Sequence, residues 1–330
     1  MLWRRVSLQE QWHFLKLLPA VLCWIFSAIS QAATLTIGVS QTPLSTPFIV
    51  AQQQGFFSQF DLDVTIKPCL GGVVCSDMLN RNEVDFATFS DSVVMFQIYK
   101  QQEIAVISTF VRAEGDVRLL TKKNAPYQTM AQLKEQPIGL VAGSASEFFV
   151  DAMLVAHGMQ SSDITKVYLS PVALSAALND NQVAAISVWE PWAYQLQHNP
   201  QQPLRDLSLA GIYTLSFNLV SKTQTLAEND HKVVALLKAL DAAIEWAHDH
   251  PLQTQQLVAN ALNLELKQMQ WLWERYVFRL SLSNTLIAEL QLQARWATKL
   301  GLVEGELPSF RQYLYYDALQ QVLNEQLEWQ

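Results

Sequence analysis

Short apolar segments alternate with amphipathic ones along most of the first half of the chain. The β-branched, alternating runs predict strands at 34–39, 63–67, 84–89 and 104–108. The segments between these runs predict helices, and the first helix has Pro47 in its first turn and Gly55 at its end. This order predicts an α/β unit with a mostly parallel sheet, in which ligands bind at the loops after the carboxyl ends of the strands.

A second unit with the same alternation begins near Val117. Its predicted strands are 117–121, 138–141, 166–169 and 184–188. An amphipathic helix that Ser144 or Ser146 can cap is predicted from about 143 to 157. After Val220 the pattern changes, and long helices are predicted at 230–249, 252–274 and 284–299. We therefore expect two α/β units followed by a helical segment.

The N-terminal residues differ in character from the rest of the chain. Two arginines and Lys16 precede a short apolar run at 17–26, and small residues follow at Ser30–Ala32. This order is typical of a secretory signal peptide, which we assign to residues 1–32. An uncleaved N-terminal anchor is the alternative, although the apolar run is short for a membrane span.

The chain has three cysteines, of which Cys23 lies within the expected signal peptide. Lipid attachment at Cys23 is disfavoured, because Leu22 is larger than the small residue that bacterial lipoprotein processing prefers. In an oxidising compartment Cys69 and Cys75 can form a small-loop disulfide, with two free thiols as the alternative. A zinc site is not expected, because no histidine or further cysteine lies near this pair.

Charge and motifs exclude several classes of function. The sequence has 22 basic and 30 acidic residues, a net charge of -8, and no long Lys/Arg run, which argues against nucleic-acid binding. It contains neither a G-x-x-x-x-G-K phosphate loop nor a G-x-S-x-G nucleophile motif, and its six histidines are scattered. We therefore expect no metal, no cofactor and no enzymatic activity.

Several blocks of the chain, in order, resemble one family of solute-binding proteins. The blocks are Gln54–Phe57, Leu62–Val64, Gly71–Gly72, Asn82–Ala87 and Trp189–Pro191. They resemble the nitrate/sulfonate/taurine-type ABC transporter solute-binding proteins, and also the thiamine-pyrimidine type, over nearly all of residues 34–300. Two departures are Phe60–Asp61, where the family has glycine before Leu62, and the altered Asn82–Glu83.

The resemblance implies a type II periplasmic binding protein fold, with two α/β lobes, a ligand cleft between them and C-terminal helices that return to the first lobe. Residues 33–115 and 218–330 are expected to form lobe 1, and residues 116–217 lobe 2. The chain is expected to cross between lobes near 112–117 and 213–218, and the lobes to close on ligand by hinge motion. A monomer in the periplasm that delivers its ligand to the membrane permease of an ABC importer is the implied role.

The candidate ligand-binding residues lie mainly in loops that follow predicted strands. They are Thr42, Pro43, Leu44, Ser45, Gly71, Gly72, Ser90, Asp91, Gly143, Ser144, Ser146, Trp189 and Glu190. Hydroxyl groups and helix N-termini suit an oxyanion, whereas an aromatic face beside a carboxylate suits an amine or a planar ring. Helix capping, turn formation and core packing are the alternative roles of the same residues.

The ligand and one part of the function stay open at this point. Nitrate, an alkanesulfonate, taurine and a thiamine precursor all fit the resemblance. A periplasmic sensor that reports to a membrane signalling protein is an alternative to transport, and a pyrimidine-forming or desulfurising enzyme is a further one. Fold similarity does not choose among them.

Overall fold

The computed structural model describes residues 34–328. The signal peptide expected at 1–32 lies outside these residues. Within the described chain, no helix combines the length and the apolar character that crossing a membrane requires.

The described chain alternates strands and helices. The strands are β1 (Leu35–Ser40), β2 (Val64–Cys69), β3 (Phe86–Ser90), β4 (Ile104–Glu114), β5 (Val117–Lys122), β6 (Pro137–Leu140), β7 (Thr165–Tyr168), β8 (Ala185–Trp189), β9 (Leu204–Asp206), β10 (Thr214–Lys222) and β11 (Tyr276–Ser281). The helices are α1 (Thr46–Gln53), α2 (Phe56–Gln59), α3 (Gly72–Asn80), α4 (Asp91–Tyr99), α5 (Ala145–Ala156), α6 (Leu174–Asn179), α7 (Trp192–Gln197), α8 (Thr223–Glu228), α9 (Asp230–Asp249), α10 (Pro251–Leu262), α11 (Leu266–Trp273), α12 (Asn284–Lys299) and α13 (Tyr316–Glu328).

These strands form two mixed sheets, in which most of the strands predicted from the sequence run in one direction and antiparallel strands are added. The first sheet has the order β11-β4-β10-β3-β1-β2 and the second the order β7-β6-β8-β5-β9. In the first sheet only β2 and β3 pair parallel to β1, whereas β10 and β11 pair antiparallel to their neighbours. The reason is topological: the chain leaves this sheet at the end of β4 and returns at the start of β10, so these strands run in opposite directions.

Two short connections join the sheets. Gly115–Asp116 links β4 to β5, and residues 207–213 link β9 to β10. The later helices pack on the first sheet and its neighbours: α9 contacts α1 and β11, α12 contacts α4, and α13 contacts α9 and β4. The limits of the two lobes stay a prediction, as does a hinge at the connections.

Both faces of the first sheet are buried. Phe86 and Ile107 belong to one apolar cluster, which includes the apolar face of α9. Their chain neighbours Ala87 and Val106 belong to a second cluster with residues of α4 and α12. Since successive strand residues point to opposite faces, helices cover the sheet on each side. This burial gives the carboxyl ends of β1 and β3 a rigid support.

Most predicted boundaries lie close to the observed ones, but one long helix was predicted wrongly. Helices at 230–249 and 284–299 agree with α9 and α12. The predicted helix 252–274 is divided into α10 and α11, because Asn263 adopts a left-handed conformation with φ of 53°. The short strand β9 and the edge strand β11 were not predicted.

Candidate functional site

A cavity of about 380 Å³, including the part that opens to solvent, lies between the two sheets. Its lining residues come from both sheets and from the connection between them: Ser40, Thr42, Leu44, Gly71, Gly72, Val73, Ser90, Val93, Asp116, Ser144, Ala145, Trp189, Leu215 and Phe217. Ser40, Ser90 and Trp189 are the last residues of β1, β3 and β8. Strand ends of an α/β sheet are where ligand sites form, and the cavity has that position.

Three helices begin at this cavity. Gly71 precedes α3, Ser90 caps α4 by accepting a hydrogen bond from the Val93 N–H, and Ser144 caps α5 by accepting one from the Ser146 N–H at 3.2 Å. The N-terminus of a helix carries a partial positive charge and free N–H groups. One side of the cavity can therefore stabilise a negative or acceptor group without a lysine or arginine.

The glycine pair lets other residues approach the chain closely. Gly71 has φ of 88°, and a Cβ atom there would lie 2.8 Å from Cζ2 of Trp189. A Cβ atom on Gly72 would lie 2.7 Å from Cβ of Phe89. Because Gly71 follows the first sheet and Trp189 ends a strand of the second, their contact closes one wall of the cavity. A larger residue in place of Gly71 would push Trp189, and with it the second sheet, away here.

Cys69 and Cys75 form a disulfide across the glycine pair. Cys69 is the last residue of β2 and Cys75 lies in the first turn of α3, with Cα atoms 5.4 Å apart. Both residues are buried. The bond restricts the loop that places Gly71 and Gly72 in the cavity wall.

Two buried carboxyl groups lie beside the connection from β4 to β5. Asp116 lines the cavity, and its Oδ1 accepts a hydrogen bond of 2.6 Å from the Tyr276 hydroxyl. Burial raises the pKa of Asp116 to about 7. Burial, and then the nearby Asp116, raise the pKa of Glu190 to about 8. Both pKa values lie far above those of exposed carboxyl groups, so neither group is fully ionised at neutral pH.

Two further contacts connect the two sheets and their helices. The Thr42 hydroxyl donates to the backbone oxygen of Glu190 at 3.2 Å. Trp296 of α12 packs edge-on against Phe148 of α5 at 5.1 Å, and its Nε1 donates to Asp151 Oδ2 at 2.9 Å. We call the Trp296–Phe148–Asp151 contact the tryptophan latch.

Seven of the predicted site residues line the cavity: Thr42, Leu44, Gly71, Gly72, Ser90, Ser144 and Trp189. The other predicted residues, Pro43, Ser45, Asp91, Gly143, Ser146 and Glu190, are not among its described lining residues. Their polar groups serve the local backbone. The Ser45 hydroxyl donates to Ser40 O, the Ser146 hydroxyl accepts from the Val141 N–H, and Glu190 Oε2 accepts from the Tyr194 N–H.

Asp91 contacts the connection between β9 and β10. Its side chain is buried, accepts hydrogen bonds from the Tyr213 hydroxyl and the Ser92 N–H, and has a pKa that burial raises to about 7. Tyr213 belongs to the connection that returns from the second sheet. Asp91 thus ties the start of α4 to this connection.

Sequence reasoning missed seven lining residues: Ser40, Val73, Val93, Asp116, Ala145, Leu215 and Phe217. Ser40 follows a predicted strand, so the rule that finds ligand sites at strand ends could have found it. Leu215 and Phe217 lie within β10 and carry no local signal of a site. Asp116 follows the glycine between two predicted strands, and its role depends on neighbours distant in sequence.

The site offers no arrangement for metal binding. No group of three or more His, Cys, Asp or Glu side chains within the described residues could hold a metal ion.

Comparisons with known proteins agree with this architecture. A protein of Bacillus subtilis (strain 168) with the provisional name aliphatic sulfonates-binding protein is 24% identical over 248 residues, 73% of each chain. The alkanesulfonate-binding protein SsuA from Xanthomonas axonopodis pv. citri, solved with MOPS, superposes with a TM-score of 0.76 at 19% identity and covers 86% of this chain and 98% of its own.

The nitrate-binding protein NrtA from Synechocystis PCC 6803 has a TM-score of 0.71 at 14% identity, with 89% of each chain covered. The fold is that of the periplasmic binding proteins, as the sequence resemblance implied. The sequence model of the NMT1/THI5-like family matches residues 42–254. The chain belongs to the NMT1/THI5-like family.

Proposed function

We propose that this protein is the periplasmic solute-binding subunit of an ABC importer and that it captures a small solute in the cavity between the two sheets. The observation that carries the proposal is the composition of the cavity wall. Strand ends and helix N-termini of both sheets contribute to it, so a solute placed there contacts both halves of the fold. A ligand that contacts both halves stabilises the closed arrangement over an open one.

The connections support closure by a hinge. Only Gly115–Asp116 and residues 207–213 pass between the sheets in the described chain before β10. Small changes of backbone angles in two short segments can rotate one sheet and its helices against the other. The permease would then recognise the closed form and receive the solute.

The chemistry of the wall favours binding over catalysis. No histidine or cysteine is among the described lining residues, so Ser40, Thr42, Ser90 and Ser144 have no neighbouring imidazole or thiolate there. The Ser144 hydroxyl donates to Val141 O at 2.7 Å, which is a capping role. Sulfonate, nitrate, taurine and pyrimidine-like solutes are the classes that the family relationship suggests.

Export supports the same role. Related structures are described as periplasmic binding proteins, and residues 1–32 have the sequence features of a signal peptide. We place the mature protein in the periplasm, where a disulfide between Cys69 and Cys75 can persist.

The test measures solute capture and closure in the same samples. The purified protein is incubated with a small-molecule extract, washed, and analysed for bound solutes by mass spectrometry, and the solute found is titrated by calorimetry and small-angle scattering. We expect one stoichiometric solute and a smaller radius of gyration when it is bound. A protein that captures nothing and does not change in size would contradict the proposal.

Matched glycine variants locate the solute. Gly71→Ala places a methyl group against Trp189, and we expect it to weaken binding at least about tenfold, because a Cβ contact this short must displace its neighbour. Gly158→Ala is the control: Gly158 also has positive φ, but its Cβ would meet nothing within 4 Å. Equal loss of affinity in both variants would place the solute elsewhere.

A further inference from the structure

Asp116 combines burial with an oxygen that has no partner. The residue is 2% exposed, lies in the connection between β4 and β5, and lines the cavity. Its Oδ1 is occupied by the Tyr276 hydroxyl, whereas its Oδ2 forms no hydrogen bond. A buried polar atom without a partner is costly, so such atoms in native proteins usually mark a place that a ligand or water completes.

No lysine or arginine is among the described residues that line the cavity with this carboxylate. Asp116 is the one ionisable side chain among the described residues that line it. Arg118 does not line the cavity, but it lies close enough to lower the pKa of Asp116. Its Nη1 pairs with Asp206 at 3.1 Å, whereas its buried Nε and Nη2 form no hydrogen bond. Glu190 adds a second acidic group on the same side.

A carboxylate in this position discriminates by charge. An oxyanion placed against Asp116 would be repelled, whereas an ammonium group or another charged N–H donor would satisfy Oδ2 and neutralise the buried charge. The helix N-termini at Gly71, Ser90 and Ser144 leave room for an acceptor group on the same solute. The two features together suit a solute with a basic nitrogen better than nitrate or a simple alkanesulfonate.

We propose that Asp116 is the specificity-determining residue of the cavity and selects solutes that carry a protonated amine. The proposal rests on the proposed function, since it assumes that the cavity is the solute site. It names a property of the solute that the family relationship leaves open, and it assigns that property to one residue.

The experiment separates the amine from the anion with four probes of equal carbon chain. They are 1-propanol, propylamine, 1-propanesulfonate and 3-amino-1-propanesulfonate, titrated into the purified protein by calorimetry. Propylamine is compared with 1-propanol, and 3-amino-1-propanesulfonate with 1-propanesulfonate. In each pair we expect the amine to bind at least about tenfold more tightly, the size of one buried charge-assisted hydrogen bond. Dissociation constants that differ less than about threefold within these pairs, in the wild-type protein, would overturn the proposal.

Asp116→Asn keeps the shape of the side chain and removes its charge. The variant should lose most of the preference for the amine while retaining the affinity for 1-propanesulfonate. Asp206→Asn is the matched control, because Asp206 is also an acidic neighbour of Arg118 but does not line the cavity. An unchanged preference in Asp116→Asn, or an equal loss in Asp206→Asn, would overturn the assignment.

The wild-type protein offers a second readout that needs no variant. Binding of propylamine should strengthen as the pH rises from 5.5 to 8.5, since the ionised carboxylate is the binding form and burial raises the pKa of Asp116 to about 7. The groups that act on this titration are Tyr276, Arg118 and Glu190, and Glu190 ionises in the same direction. Weaker amine binding at high pH would contradict the proposal.

Failure of this inference can be told from failure of the proposed function. If none of the probes binds but the protein captures a solute without a basic nitrogen from an extract, the role of Asp116 is overturned and solute capture stands. A captured solute with a basic nitrogen supports both. Capture of no solute at all contradicts the proposed function and the inference together.

Discussion

At the scale of single residues, Asp116 and Glu190 connect stability to pH. Their carboxyl groups have pKa values of about 7 and about 8 in the folded protein, against ordinary values of 3.8 and 4.5, and burial is the main cause. At pH values between the ordinary and the raised pKa, the folded protein binds more protons than the unfolded chain does. The free energy of unfolding therefore falls as the pH rises through this range.

We expect the ligand-free protein to be less stable at pH 8.5 than at pH 5.5, with about 2 kcal/mol of the difference from Asp116. Urea unfolding at a series of pH values measures this change. Asp116→Asn should make the dependence on pH shallower, whereas Glu83→Gln should not, because Glu83 is an exposed partner of Arg81. A dependence as steep in Asp116→Asn as in the wild-type protein would show that the raised pKa of Asp116 is not its cause.

Residues beside predicted strand ends could be placed from the sequence, and residues whose surroundings come from distant segments could not. Thr42, Gly71 and Ser90 follow predicted strands, so their position depends on local structure alone. The environment of Asp116 is formed by Tyr276, which is 160 residues away along the chain. No local pattern at Asp116 carries information about that contact.

At the scale of elements, the loop from β2 to α3 is held by the Cys69–Cys75 disulfide. Gly71 in this loop has positive φ and meets Trp189, and the bond reduces the alternatives that the unfolded loop can adopt. The disulfide thereby links redox conditions to the geometry of the cavity wall.

We expect the variant with both Cys69→Ser and Cys75→Ser to lose about 2 kcal/mol of unfolding free energy, the size for a loop of this length. Its affinity for solute should fall as well, because Gly71 and Gly72 lie inside the loop. Denaturant unfolding and calorimetry test both effects. Reductant should reproduce them in the wild-type protein and leave the double variant unchanged; an unaffected wild-type affinity would mean that the loop keeps its shape without the bond.

Element prediction succeeded where the pattern was long and uninterrupted. The apolar stripes of α9 and α12 predicted where these helices begin and end, because helical periodicity over 16 or more residues is a strong signal. The predicted helix 252–274 failed at Asn263, whose left-handed conformation ends α10 although the apolar pattern continues. The strand β11 depends on pairing with β4 and has no turn signal of its own.

At the scale of the whole molecule, the tryptophan latch joins helices that belong to different sheets. Trp296→Phe would keep most of the ring packing on Phe148 and remove the hydrogen bond to Asp151. Asp151 would retain its ion pair with Lys166 at 2.5 Å. The variant therefore weakens the contact between α12 and α5 without leaving Asp151 unpaired.

We expect Trp296→Phe to lower solute affinity about fivefold, since one hydrogen bond of about 1 kcal/mol then no longer supports the closed form. Small-angle scattering should show a larger radius of gyration for the ligand-free variant. Trp246→Phe is the control, because Trp246 stacks on His250 at the end of its own helix. If the radius of gyration and the solute affinity of Trp296→Phe match those of the wild-type protein, the tryptophan latch does not contribute to closure.

The contacts that seal the cavity also have a kinetic meaning. In the proposed function, a solute in the cavity leaves when the Gly71–Trp189 contact, the Thr42 bond to Glu190 O and the tryptophan latch open. Encounter with the open form depends on diffusion, so residence time is the quantity that these contacts control. In the proposed function, a permease would accordingly act on the lifetime of the closed form, by separating the sheets faster than they separate alone.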